Sequence, residues 1–184
     1  GKRAGISPSV DDFLRRHGDE NITQFTISRT VLNPLLTGAI GIISPSFRRK
    51  TQDTKLYHLH VLIRTTKTSL SLEKNARITI GNYQKRNGSE DMSVSIPSGL
   101  SLNKMLDRTR SLMGGRFLSY SARDNNCQDF ILALLQSNNL SSSANTLFVK
   151  QATQSLLTPQ LRKISNTITD IAGGVDKIIQ GGEV

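Results

Sequence analysis

Asp124-Asn125-Asn126-Cys127-Gln128-Asp129-Phe130 introduces the clearest helical pattern in the chain. From there Cys127, Phe130, Ile131, Leu134 and Leu135 recur at the i, i+3, i+4, i+7, i+8 spacing that lays one apolar stripe along a helix. Asn138-Asn139 closes the stripe, asparagine being accepted where a helix ends in left-handed backbone. Cys127 is the chain's single cysteine. With Asp124, Asn125 or Asn126 as the cap, its sulfur falls in the first turn, where the positive end of the helix dipole favours an anion. The thiolate is the reactive form of cysteine, so this is where a nucleophile would be placed. Backbone N–H groups of the same turn offer a site for an oxyanion. The plainer alternative is a cysteine that only packs, since free cysteine is among the most buried residue types.

Working upstream, Leu56-Tyr57-His58-Leu59-His60-Val61-Leu62-Ile63 reads as a strand and carries two of the three histidines. Side chains alternate along a strand, so His58 and His60 share one face, roughly 7 Å apart, while Tyr57, Leu59, Val61 and Ile63 share the other. The apolar face reads as core, and the histidine face as the surface that receives the Cys127 helix. A histidine there would serve as general base, His58 first and His60 as the alternative. After a polar turn at residues 66–69, a second strand runs to about Ile80 and completes a hairpin. Its segment Leu72-Glu73-Lys74-Asn75-Ala76-Arg77-Ile78 supplies Glu73 and Asn75 as groups able to orient the imidazole. A turn centred between Thr66 and Ser69 sets Asn75 opposite His60, although a one-residue slip would reverse every facing.

The remaining segments fill out an α+β chain. Residues 1–20 read as a basic, polar N-terminal arm with a short helix around Phe13-Leu14, residues 21–155 as the domain, and residues 156–184 as an amphipathic tail. Residues 22–30 read as a strand, and Met92-Ser93-Val94-Ser95-Ile96 as another within the polar stretch 82–99. Residues 102–113 read as a helix stopped by Gly114. Residues 117–121 read as a short strand or extended link, and Thr146-Leu147-Phe148-Val149-Lys150 as a strand. In the tail, Leu161, Ile164, Ile168, Ile171, Val175 and Ile178 follow a heptad seam interrupted by Gly173-Gly174, a pattern for docking on a partner or on the domain itself.

Composition narrows the classes. A net charge of +10 over 184 residues implies attraction to an anionic partner such as nucleic acid, a lipid surface or an acidic protein. Arg48-Arg49-Lys50 is the candidate anion-binding cluster, with Lys85-Arg86 a second basic pair. Few aromatics lie among these charges, which disfavours base stacking. One cysteine excludes an intrachain disulfide framework. No apolar run approaches the ~18–20 residues of a transmembrane helix. Neither a metal-ligand spacing nor a phosphate loop is present, so no cofactor and no metal are expected.

At these residues the chain resembles a family. A histidine-bearing strand followed by an Asn-Cys-x-x-Phe helix is similar to the circularly permuted papain-like superfamily of NlpC-type and lecithin:retinol acyltransferase-like proteins. More narrowly, Tyr57-His58-Leu59, Leu72-Glu73-Lys74-Asn75, the run from Tyr120 to Phe130, and Arg162-Lys163-Ile164-Ser165-Asn166-Thr167 resemble a domain of viral proteins, over about residues 22–180. The family pattern places its histidine after an aromatic residue, which matches His58; His60 departs from it. The resemblance implies a permuted papain-like α+β fold: a small antiparallel sheet against the Asn-Cys helix, with a C-terminal amphipathic helix. It also implies a viral thiol hydrolase or acyltransferase in the virion or host-cell cytoplasm, with Cys127 as nucleophile, His58 as base, and Asn75 or Glu73 orienting it. The competing expectation is a non-catalytic, capsid-associated virion protein on the same scaffold, docking on other virion proteins through its tail and on capsid, genome or membrane through its basic surface.

Overall fold

From His58 to Ile63 every residue of the central strand is buried, so both faces of the sheet are covered and the two covers define the fold. The computed structural model describes residues 6–31, 57–119 and 127–151. Within them five antiparallel strands are ordered β4-β3-β2-β1-β5: β1 (Ile22–Val31), β2 (Tyr57–Thr65), β3 (Ser69–Lys74), β4 (Ile78–Asn82) and β5 (Glu90–Val94). The helices are α1 (Pro8–His17), α2 (Leu102–Met113), α3 (Cys127–Ser137) and α4 (Ser143–Gln151), with a 3-10 turn at Gly114–Phe117. The chain is α+β, with a small antiparallel sheet.

The helical side is the apolar core. Phe25 and Ile27 of β1, Leu59, Val61 and Ile63 of β2, and Leu70 and Leu72 of β3 alternate onto one face. They join Leu14, Met105, Phe117, Phe130 and Leu134 in a single cluster. Removing each such side chain from water contributes roughly 1.5–3 kcal/mol, and this term holds the helices on the sheet. Local chemistry sets the helix ends. Ser7 caps α1 by accepting from the Val10 N–H, with Pro8 at the start of the helix. Ser101 caps α2 by accepting from the Lys104 N–H at 3.2 Å. Gly114, at φ 57, ends α2 in backbone that a side chain would strain. Asn139, at φ 56, ends α3 as its sequence signal predicted.

Opposite the helices, residues 83–89 join edge strand β4 to edge strand β5 and cross the second face as a strap. Arg64 of β2 lies over the Tyr83 ring at 4.2 Å, Arg86 lies 3.5 Å from Glu73 of β3, and Lys85 lies 3.0 Å from Asp91 of β5. A five-stranded sheet is thus closed by helices on one side and by a polar connection on the other.

Four expectations need correction. The second arm of the hairpin is two strands, because the chain reverses at Asn75-Ala76-Arg77, where the Asn75 N–H donates to the Arg77 carbonyl at 3.0 Å. The body of α3 packs on the apolar face, and not on the histidine face. Thr146–Lys150 belongs to helix α4: Asn145 caps it reciprocally with Ser142, and Val149 is buried. Phe117 ends the 3-10 turn and begins no strand. The short helix expected around Phe13-Leu14 is α1, and it sends Val10 and Leu14 into the core. Arg48, Arg49 and Lys50 lie outside the described residues, as do the tail positions Leu161, Ile164, Ile168, Ile171, Val175 and Ile178. Among the described residues no helix is long and apolar enough to cross a membrane.

Candidate active site

The register of β2 with β3 decides which groups can meet. Ile63 pairs with Leu70, Leu62 with Ser71 and Val61 with Leu72. One further step sets His60 beside Glu73, not beside Asn75, so the turn is centred one residue earlier than expected and the pairing is shifted by two. Because the shift is two, the facing is preserved: His58, His60, Ser71 and Glu73 all lie on the strap side. Glu73 then reaches His58 along the diagonal, a distance that long side chains span between neighbouring strands.

The contact is direct. His58 Nε2 lies 2.7 Å from Glu73 Oε2, with His58 buried and Glu73 nearly so. Cys127, the first residue of α3, lies close enough to the same imidazole to raise its pKa. A histidine ring has two nitrogens, and Glu73 engages Nε2. The sheet end and the helix start therefore bring Cys127, His58 and Glu73 into one neighbourhood. Cys127 is buried and belongs to the same apolar cluster as Phe130 and Leu134. The capping residues Asp124, Asn125 and Asn126 lie outside the described residues. Cys127 itself opens the helix, where the first N–H groups have no intrahelical acceptor.

Electrostatics separate the two histidines. Burial alone would strip the proton from His58, but the neighbouring Cys127 and Glu73 side chains, and the charges they carry, outweigh it and raise the ring's pKa to about 9. For Glu73, burial pushes toward the neutral acid. The bond from His58 and the charges of His58, Arg86 and His60 prevail and bring it to about 2. His60 has no such bond. Burial, with the nearby Arg86 and His58 charges, overrides the attraction of Glu73 and Asp91 and lowers it to about 3. At neutral pH the pair is thus one imidazolium and one neutral imidazole, their rings 6.3 Å apart and stacked.

Two residues outside the expected set shape this site. Arg86 meets the same Glu73 oxygen as His58, while Thr79 donates its hydroxyl to the other at 3.4 Å. Of the basic pair Lys85-Arg86, Arg86 is largely covered, while Lys85 is exposed and pairs with Asp91. No periodicity in residues 83–89 signals a strap, so sequence offered no means of finding them. Lys74, next to Glu73 but on the helical face, is buried and donates from Nζ to the Arg116 carbonyl at 2.6 Å. Burial is the main cause that lowers its pKa to about 8, and its ammonium sits 5.9 Å from the centre of the Phe130 ring. Lys74 thereby pins the 3-10 turn to β3 just ahead of the Cys127 segment.

The contact to His58 is made by Glu73, while Asn75 is buried with its Oδ1 lacking any hydrogen-bond partner. The same is true of Thr30 Oγ1 and of both His60 ring nitrogens. Each such group costs on the order of 1–3 kcal/mol relative to a satisfied one. Among the described residues, no set of three or more His, Cys, Asp or Glu side chains is placed to hold a metal ion. Comparison of the chain with family models, curated proteins and solved structures finds no match.

Proposed function

We propose that this chain is a cysteine-dependent hydrolase or acyltransferase acting on an amide or ester, with Cys127 as nucleophile, His58 as acid–base and Glu73 as the residue that orients it. One observation supports this reading above the others: His58 is hydrogen-bonded to a carboxylate and neighbours the chain's one thiol, inside a buried site. A cysteine kept only for packing has no need of a charged partner, and burying one without a function is costly. The resemblance of the Asn-Asn-Cys-Gln-Asp-Phe run to viral papain-like domains points to the same chemistry.

In this reading the Cys127 sulfur attacks the carbonyl carbon while its proton resides on His58. Collapse of the tetrahedral adduct breaks the bond to the amine or alcohol, which leaves with the proton from His58. The thioester that remains is cleaved when water or an acceptor nucleophile attacks it, its proton passing to His58 and the sulfur leaving. Glu73, ionised and held by Arg86 and Thr79, fixes the ring throughout. Removing the orienting or basic partner of such a pair costs about 10²–10⁴-fold in rate.

Because the chain has one thiol, alkylation reports on Cys127 alone. Iodoacetamide labelling at pH 6 should vanish in Cys127→Ala and slow at least roughly tenfold in His58→Gln, where the imidazolium beside the sulfur is lost. Equal rates in the wild type and His58→Gln would remove the basis for a paired site.

A further inference from the structure

Three side chains around His58 carry buried polar atoms without hydrogen-bond partners: Thr30 Oγ1, both ring nitrogens of His60, and Asn75 Oδ1. The register gathers them. Thr30 is the cross-strand partner of His58 on β1. His60 is the next residue on the same face of β2 and stacks on His58. Asn75 directly follows β3, two residues beyond the Glu73 that bonds His58. His60 and Asn75 are 1% and 8% exposed, so bulk water does not satisfy them.

Their neighbours are already committed. Ser28, paired with His60 across the sheet, donates to Asp91 at 2.6 Å, and Glu73 is engaged by His58, Arg86 and Thr79. Nearly all buried polar groups in folded proteins find partners, and a group of exceptions in one place calls for a ligand or an ordered water. What these atoms offer is specific. Asn75 Oδ1 accepts, a neutral imidazole donates from one nitrogen and accepts at the other, and a threonine hydroxyl does either. Donors and acceptors without net charge complement a carboxamide, whose N–H and C=O need one of each. An alkyl chain would leave all of them unsatisfied.

Resting on the thiol-enzyme reading above, we propose that Thr30, His60 and Asn75 form a subsite that receives a neutral amide group of the substrate beside Cys127, which assigns the enzyme to peptide-like amides and not to lipid acyl chains. A site that hydrogen-bonds its ligand rejects an analogue lacking those groups more strongly than an apolar site rejects an added polar one.

The test uses two reagents of equal chain length that share one reactive group, acetamidoethyl methanethiosulfonate and pentyl methanethiosulfonate. In each, the Cys127 thiolate forms a disulfide with the sulfenyl sulfur and methanesulfinate leaves with the electron pair of the broken S–S bond. Second-order rates, each divided by the rate with N-acetylcysteine, should favour the amide reagent roughly five- to tenfold in the full chain. That ratio should fall toward one in His60→Phe and Asn75→Leu. Thr30→Val, nearly isosteric, covers the case in which the larger changes disturb folding, and should lower the ratio about twofold or more. A wild-type ratio near one, or a preference that survives the substitutions in folded protein, overturns the subsite. The absolute rates in His58→Gln judge the thiol pair separately, because the ratio cancels the reactivity of the sulfur.

Discussion

Leu59, Val61 and Ile63 on one side of β2 and His58, His60 and Leu62 on the other are equally inaccessible to water, yet they are buried by different means. The helical side is closed by Phe130, Leu134 and Met105, apolar surfaces that need only the right shape and volume. The strap side is closed by residues 83–89, whose cations meet Glu73 and Asp91. On the first side burial is the source of stability. On the second it is a cost, carried by ion pairs and by unpartnered polar atoms, and that is where His58 meets Glu73. The contrast teaches that the helical side holds the fold together while the strap side holds groups whose state depends on charge.

The largest effect should come from the helical side. Phe130→Ala removes a side chain with no exposure that touches Phe117 and faces Lys74, and should destabilise the domain by about 3–5 kcal/mol. Chemical denaturation measures this, and a loss below about 1 kcal/mol would mean that the two sides are not so unlike.

A smaller effect, of opposite sign for the two histidines, should appear in stability against pH. The raised pKa of His58 means that its contribution is whole below about 6.5 and is lost as pH rises from there through about 9. His60 is depressed, so its contribution is whole above about 6.5 and is lost as pH falls toward about 3. Glu73 adds to the acid side, with its contribution lost as pH falls from about 4.5 through about 2. The melting temperature should therefore peak near neutrality and decline on both sides. A steady rise from pH 5 to pH 9 would contradict the assignment of His58.

How much of this could be read beforehand differs between the same two sides. The helical side was legible because periodicity encodes it: the Cys127–Leu135 stripe, the Ser101 and Gly114 boundaries of α2, and the alternation of Leu59, Val61 and Ile63 are local signals. The meeting of the histidine strand with Cys127 was also expected, as was Glu73 within the candidate set. Its choice over Asn75 was not, because it follows from where the hairpin turns, and a shift of two residues leaves the sequence pattern unchanged while altering every partner. The reversal at Asn75-Ala76-Arg77 was hidden because Lys74 interrupts no apolar alternation that a longer strand would require. The strap was illegible for a similar reason: a polar stretch looks solvated until the sheet order shows that it must cross a face. Phe148 and Val149 misled because α4 takes its helical start from Ser142 and Asn145, while β-branched and aromatic residues favour strands only where a sheet edge can take them.

The central claim is that one imidazole, bonded to a carboxylate and close to the sulfur, stands beside another that is bonded to neither. Nitrogen-15 NMR titration of the His58 and His60 rings measures this directly. The account predicts that His58 keeps its proton until about pH 9 and that His60 stays neutral down to about pH 3, with the His58 value falling in Glu73→Gln and again in Cys127→Ala. Two rings titrating together near the ordinary 6.5, indifferent to both substitutions, would contradict it.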